Sequence, residues 1–250
     1  MGYALPSVAH RYFVYTTSLR QRVRTDDEPV RFVNAVVRIR GTVTPSKASA
    51  PARATQADRR ARTRTALLES AAQGISRYGY NNLALERVAS RAGYTRGALY
   101  HQFANKEELA LAVVEWVEKG WYDELGHLFA NDADPVGALV DLARGYAVYC
   151  RRDVSRVMMT LRAEFEGLDH PVGRAVQQAI DRVVDDSARL IIAGRTSGAI
   201  PPGPPPRELA LAYVGGVEGL VIYLSGQEPF DVQLAERAAL GILGLKTSTA

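Results

Sequence analysis

The stretch from Leu85 to Lys106 constrains this chain most, because its pattern predicts two short helices, a tight turn between them and the start of a third helix. Gly93 follows the first helix, where a residue without a Cβ can adopt the left-handed conformation that ends it. Thr95 can accept hydrogen bonds from the first free N–H groups of the second helix. The first helix places its apolar residues on one face at helical spacing: Leu85, Val88, Ala89 and Ala92.

The second short helix divides into an inner and an outer face. Leu99 and Phe103 point back to the core, and Asn105 with Glu108 resembles a capping box that starts the next helix. Helix pairs of this kind form the helix-turn-helix, whose second helix enters the DNA major groove. Lys106 lies at a helix N-terminus, where a phosphate is favoured. The alternative is an ordinary corner of an all-α core. The outer face comprises Thr95, Arg96, Gly97, Ala98, Tyr100 and His101.

The chain here resembles the TetR family of bacterial transcriptional repressors, from about Arg62 to Trp116. The family often has Ser or Thr capping the first motif helix, whereas this chain has Ala84; Asn82 could cap instead, which leaves the start of that helix open. The resemblance implies DNA contacts by the outer face and by Lys106, and dimers that bind pseudo-palindromic operators. The matching residues are Ala71–Ala72, Gly79–Tyr80, Val88–Ala89, Ala92–Gly93, Gly97, Leu99–Tyr100, Phe103 and Lys106–Leu109.

Charge is distributed unevenly along the chain. Residues 1–64 hold 13 Lys or Arg and 4 Asp or Glu, a net charge of +9, whereas residues 65–250 carry −5. A basic N-terminal segment followed by an acidic remainder is typical of a nucleic-acid-binding protein with a second domain that does not bind nucleic acid. A single cysteine excludes an internal disulfide, and no apolar run reaches a membrane-spanning length of about 18 residues. We therefore expect a cytoplasmic protein.

The segment before the motif is the least informative. Residues 1–58 are interpreted as a basic extension of low order that ends in a linker rich in Pro, Ser and Ala over residues 44–58. Residues 1–45 are either a disordered tail or an upstream extension from a misplaced translation start. Arg59, Arg60, Arg62 and Arg64 follow, and this basic arm is expected to neutralise phosphates or to enter a minor groove. The alternative for the arm is a solvated helix start.

The remaining periodicity predicts an all-α fold. A three-helix DNA-binding domain is expected over residues 59–105, with its first helix from about Arg64 to Tyr78, and a helical domain for ligand binding and dimerisation over residues 106–250. The long helix from Lys106 to about Leu125 would connect the two domains mechanically. Further helices are expected from Pro135, Asp153, Pro171, Leu209 and Asp231, with a loop over residues 195–206.

The helical domain resembles, more loosely, the regulatory domains of multidrug-efflux repressors of the family. Aromatic and sulfur side chains on helices that surround a small-molecule cavity in the family form a candidate effector pocket. The alternative for these residues is plain core packing. Arg144, Arg162 and Glu218 are charges in apolar surroundings, and each could be a polar anchor for a ligand or, alternatively, part of a solvated helix edge. The candidate pocket residues are Trp116, Trp121, Tyr122, Tyr146, Tyr149, Met158, Arg162 and Phe165.

The two last helices are expected to form a homodimer interface. The helix over residues 209–224 is apolar nearly all round, which predicts burial on every side, and its glycines would permit close contact between copies. The candidate interface residues are Gly215, Gly216, Gly219, Leu220, Ala235, Ala239 and Ile242.

The sequence contains no catalytic, metal-binding or cofactor-binding constellation. We therefore predict no enzyme and no cofactor. The prediction is a repressor that binds a double-stranded DNA operator as a homodimer and is released by a small apolar molecule. The alternative is a DNA-binding interaction protein without a ligand, such as a nucleoid or division factor built on the same fold.

Overall fold

The computed structural model describes residues 55–246, which are helical and contain no strand. This confirms the all-α prediction. No helix in this range is long and apolar enough to cross a membrane. The helices are α1 (Gln56–Tyr78), α2 (Leu85–Arg91), α3 (Arg96–Tyr100), α4 (Lys106–Leu125), α5 (Pro135–Tyr149), α6 (Val157–Phe165), α7 (Pro171–Thr196), α8 (Pro206–Leu224) and α9 (Phe230–Ile242), with 3₁₀ turns at Gly126–Ala130 and Asp153–Arg156.

Helix α1 begins at Gln56 and not near Arg64, so the prediction that residues 55–58 belong to a linker is wrong. Thr55 and Asp58 form a complete capping box, in which the Thr55 hydroxyl accepts from the Asp58 amide and the Asp58 carboxylate accepts from the Thr55 amide. Such a cap satisfies two otherwise unpaired donors and stabilises a helix by about 1 kcal/mol. The rest of the predicted extension, residues 1–54, lies outside the described residues.

The turns around α2 and α3 follow the sequence closely. Gly93 has φ +78°, and the Thr95 hydroxyl accepts from the Ala98 amide at 3.2 Å. Helix α2 begins after Ala84 without a side-chain cap. Asn82 therefore does not cap it; its side-chain amide donates to the Tyr78 carbonyl and satisfies the end of α1 instead.

Helix α4 begins at the predicted cap. The Asn105 side chain accepts from the Glu108 amide at 2.8 Å, while the Glu108 carboxylate accepts from the Ala104 amide at 2.7 Å. The reciprocal bond thus goes one residue further back than in a standard capping box. These two bonds fix the angle at which α4 leaves the motif.

Two apolar cores are packed along the described chain. The first joins α1–α4 to α6 and the start of α7, around Leu67, Leu99, Phe103 and Leu161. The second lies among α5, α7, α8 and α9. Helices α6 and α7 contribute to the first core, so this core includes residues from both sides of the predicted domain boundary at residue 105. The boundary therefore remains a prediction.

A buried ion pair joins α9 to the turn at the end of α5. The Asp231 carboxylate is fully buried and accepts two hydrogen bonds from Arg151, at 2.8 and 3.0 Å. Hydrogen bonding to Arg151 holds the pKa of Asp231 below its usual range. A second pair, between Arg144 of α5 and Glu236 of α9, is much more exposed.

Candidate functional site

The outer face of the helix-turn-helix is accessible as predicted. Thr95, Arg96 and Gly97 are exposed, as are Tyr100 and His101, while Ala98 is half-buried. Tyr100 is 42% exposed although Leu99 beside it is fully buried. Helix α3 is thus anchored from one side and presents a phenol, an imidazole and a guanidinium on the other.

Arg96 is not free on this face. Its guanidinium pairs with the Glu86 carboxylate of α2 at 2.8 Å, and one of its N–H groups lies 3.4 Å from the Tyr100 hydroxyl. The Arg96 guanidinium carbon also lies 5.4 Å from the Tyr100 ring centroid. Glu86 was missed by the sequence analysis, although it lies ten positions before Arg96 on the preceding helix. These contacts order the Arg96 side chain on the surface that would meet DNA.

Lys106 is placed differently from the prediction of a free phosphate contact. Its ammonium donates to the Asn81 carbonyl at 2.9 Å and lies 4.6 Å from the Tyr80 ring centroid. Burial lowers the pKa of Lys106, against the opposing field of Glu164. The ammonium therefore ties the start of α4 to the turn before α2, and a phosphate role remains a prediction.

Arg62 and Arg64 lie within helix α1 and not on an extended arm. The capping box at Thr55 starts the helix ahead of them, so insertion into a minor groove as an arm is wrong for these residues. Arg62 is exposed. The Arg64 guanidinium lies over the ring of Phe103, 4.6 Å from its centroid. A helical basic surface beside α3 is still suited to phosphates.

A partly open cavity of about 120 Å³ lies where α4 passes from the first core to the second. It brings together five of the eight candidate pocket residues, Trp121, Tyr122, Tyr146, Tyr149 and Met158. The lining also contains Glu218, one of the three charged residues considered as a ligand anchor, and further residues outside the eight candidates: Val117, Glu118, Phe129, Leu142, Ala143, Ser155, Ala179, Ile180, Val183, Ser187, Tyr213, Val214 and Val217.

Three candidate pocket residues lie elsewhere. Trp116 and Phe165 pack in or against the first core, where the Phe165 ring stacks on His170 with centroids 4.3 Å apart. Arg162 does not line the cavity, and its side chain is 53% exposed. The prediction is wrong for these three, because helical spacing gives the face of a residue but not which neighbour covers it.

Most polar groups of the cavity wall are already paired. Tyr122 donates to Asp186 at 3.0 Å, and Tyr213 donates to the Leu139 carbonyl. Burial raises the pKa values of Tyr146 and Tyr213 well above that of free tyrosine, and that of Tyr149 to about 12. The cavity wall therefore presents neutral phenols and apolar surface.

The predicted dimer residues divide into two groups. Ala235 and Ala239 are fully buried inside the protomer, and Leu220 and Ile242 pack against the second core. The prediction is wrong for Ala235 and Ala239, because α9 turns its alanines toward α5 and α8, and it stays a prediction for the partly buried Leu220 and Ile242. Gly216 is exposed, although a Cβ there would meet the Ile242 side chain.

The outward side of α8 remains uncovered in the protomer. Gly215 and Gly219 have open space where a Cβ would project, and the predicted burial of α8 on every side is wrong for the single chain. The exposed apolar residues on α8 and α9 are Leu211, Tyr223, Phe230 and Leu234.

Residues 67–113 match the family described as bacterial regulatory proteins, tetR family. The chain is 27% identical over 184 residues to the A-factor receptor protein of Streptomyces griseus, covering 71% of this chain and 62% of that one. It is 39% identical over 67 residues to the HTH-type transcriptional regulator CymR of Pseudomonas putida, covering 27% of this chain and 33% of the relative. The chain thus spans less than two thirds of either relative.

Solved structures share the fold at low identity. A TetR-family regulator of Streptomyces coelicolor, SCO4454, has a TM-score of 0.62 and 19% identity, covering 74% of this chain and 95% of its own. AibR, solved with isovaleryl coenzyme A and operator DNA, has a TM-score of 0.57 and 23% identity. The match covers 73% of this chain and 96% of AibR. Residues 67–113 therefore match the tetR family of bacterial regulatory proteins, and the helical region as a whole shares its fold with solved TetR-family regulators.

Proposed function

We propose that this protein is a repressor that binds a pseudo-palindromic DNA operator as a homodimer and is released by a small apolar molecule. The observation that carries the DNA-binding role is the exposed face of α3, with Tyr100 and His101 outward and Leu99 fully buried. Side chains on such a face reach base edges in the major groove, whereas basic residues around them position the duplex. DNA binding would place the protein in the cytoplasm.

The dimer is supported by the uncovered face of α8 and α9. A single motif reads few base pairs, and dimers of this kind bind half-sites about 34–36 Å apart or a multiple of that spacing. Gly215 and Gly219 would let two copies of α8 approach closely, and Leu211 and Leu234 would supply apolar area. A two-fold contact places each patch against its own copy.

The effector site is supported by the cavity and by the two helices that lead from it to the DNA-binding motif. Helix α4 contributes Trp121 to the cavity wall, and its first residue, Lys106, contacts the Asn81 carbonyl. Helix α6 contributes Met158 to the wall, and its Glu164 accepts from the Asn81 amide at 3.1 Å. Both helices therefore meet at the turn that precedes α2.

The size of the cavity explains how an occupant could change operator affinity. At about 120 Å³ it is smaller than the ~150 Å³ engineered cavity that holds one benzene ring. A larger occupant that presses on the walls formed by α4 and α6 would act on the turn at Asn81, which both helices contact. It releases DNA only if it binds an arrangement with this turn displaced better than the DNA-bound one, and a coupling of 1–3 kcal/mol lowers operator affinity about 5–150-fold.

The DNA-binding role is tested by fluorescence anisotropy on an operator duplex and on a scrambled duplex. Tyr100→Ala should lose the preference for the operator, because it removes a groove-facing group. Lys106→Ala should weaken binding to both duplexes, with a salt slope lower by about one if Lys106 reaches a phosphate. Operator affinity unchanged in both variants would refute the assignment.

The ligand-free interaction protein remains the second candidate. The cavity favours the repressor, because a protein without an effector needs no such space. Small apolar compounds are titrated while tryptophan fluorescence is followed, and operator affinity is then measured with each compound that binds. Saturation without any change in operator affinity would favour the second candidate.

A further inference from the structure

The wall of the cavity is mostly apolar but includes two acidic side chains. Two carboxylates reach its wall, from Glu118 of α4 and Glu218 of α8. Among the described residues that form the lining, none is Lys, Arg or His. An anionic occupant would therefore meet carboxylates without any basic partner, which is unfavourable at short range in a medium of low dielectric constant.

Glu118 is already neutralised by a partner. Its two carboxylate oxygens accept from Nε and Nη2 of Arg182 on α7, at 2.5 and 2.8 Å. Such a bidentate pair satisfies both charges and fixes their orientation. Glu118 therefore presents little free charge to the cavity.

Glu218 is not satisfied in this way. Its side chain is 20% exposed, and no hydrogen bond to its carboxylate is found within residues 55–246. The nearest cation, Arg162 Nη1, lies 3.9 Å away, beyond hydrogen-bonding distance, and the Arg162 side chain is largely in solvent. Burial raises the pKa of Glu218, which reflects the cost of keeping an ionised carboxylate there. Tyr146 and Cys150 are the other titratable groups that interact with it.

We propose that the cavity takes a small apolar molecule that carries one protonated amine, and that the ammonium group pairs with Glu218. The ammonium would supply the hydrogen bonds that the Glu218 carboxylate lacks. Trp121, Tyr146 and Tyr149 surround the rest of the space, and aromatic faces attract a desolvated cation. This inference rests on the proposed role of the cavity as the effector site and adds the chemical class of the effector.

The volume limits the apolar part of the ligand to about one ring when the walls do not move. Coenzyme A thioesters, which carry several phosphates and of which one is bound by AibR, do not suit this cavity. An amine on a single ring or on a short alkyl chain does.

The test uses three probes of one shape and different charge: benzylamine, benzyl alcohol and benzoate. Binding to the full chain without DNA is measured by titration calorimetry. A charged hydrogen bond contributes about 1.5–3 kcal/mol, so benzylamine should bind the wild type at least about tenfold tighter than benzyl alcohol. Benzoate should bind most weakly.

Two variants locate the charge that is responsible. Glu218→Gln keeps the shape of the side chain and should reduce benzylamine affinity to that of benzyl alcohol, while leaving the alcohol unchanged. Glu115→Gln is the matched control, because it removes the same charge at an exposed position of α4 that does not line the cavity. It should keep the preference for the amine. Melting temperatures of both variants establish that they are folded.

Three results would overturn the inference: no preference for benzylamine, a preference that survives Glu218→Gln in a folded protein, or no binding of any probe. Failure of the proposed function would be seen differently. In that case benzylamine would bind with the expected preference, while a saturating concentration left operator affinity unchanged.

Discussion

Substituting Arg151 with Met should destabilise the protein strongly, because it leaves Asp231 without the partner that ties α9 to the turn at the end of α5. Asp231 is fully buried and its carboxylate accepts two hydrogen bonds from Arg151. Removing one partner of a buried pair costs about 3–5 kcal/mol when the other stays charged. Asp231 can instead take a proton, which at pH 7 costs about 4 kcal/mol for a pKa near 3.9. Asp231 adopts whichever of these two states costs less free energy. We therefore expect Arg151→Met to lower the free energy of unfolding by about 3–4 kcal/mol at pH 7.

The same reasoning predicts how the loss depends on pH. The pKa of Asp231 is lowered in the wild type, so the pair stabilises the fold above the unfolded pKa and loses this effect as pH falls. In Arg151→Met the buried Asp231 has a raised pKa, so the variant loses stability as pH rises above about 3.9. The difference between the two proteins should therefore be smaller at pH 5 than at pH 7, by at most about 2.7 kcal/mol.

Urea denaturation followed by circular dichroism at pH 5 and pH 7 measures both quantities. Arg144→Met is the matched control, because Arg144 joins α5 to α9 through Glu236 but is 43% exposed. An exposed pair contributes about 0–1 kcal/mol, so this control should stay close to the wild type. Equal losses in the two variants, or a loss from Arg151→Met that is the same at both pH values, would refute the reasoning.

Three further predictions concern the DNA-binding motif, the dimer and the start of the chain. Glu86→Gln should strengthen binding to operator and scrambled duplexes alike, because it removes an acid and frees Arg96; anisotropy that shows weaker binding to both would contradict this. Gly215→Glu should shift the protein toward monomer in sedimentation velocity, unlike the control Gln177→Glu at an exposed position of α7, and a monomeric wild type would reject the interface. A chain starting at Ala52 keeps the capping box at Thr55, so its melting temperature and operator preference should match those of the full chain, whereas unfolding would show that the removed segment is structural.

The sequence predicted the motif well because local chemistry decides it. Gly93, Thr95 and Asn105 each act through bonds to neighbours within a few residues, so their roles could be inferred without the fold. The start of α1 was missed because the composition around Thr55 is typical of a linker, although Thr55 and Asp58 have the spacing of a capping box.

The cavity and the interface were predicted only in part, because they depend on which helices pack together. Trp116 and Trp121 lie on the same helix, yet only Trp121 reaches the cavity, since Trp116 packs against the first core. Ala235 is apolar and small, as an interface residue would be, but α9 turns it inward. Glu218 was identified as a charge in apolar surroundings, and only the packed structure shows that it lacks a hydrogen-bonding partner.

Selection of duplexes from a random DNA pool by the purified protein tests the central claim most directly. Sequencing of the bound fraction should reveal two inverted half-sites whose centres lie about 34–36 Å apart or at a multiple of that distance. The same selection with Tyr100→Ala should yield no such site, because the substitution removes the groove-facing phenol of α3. A wild-type pool without any enriched sequence would contradict the assignment of this protein as a sequence-specific regulator.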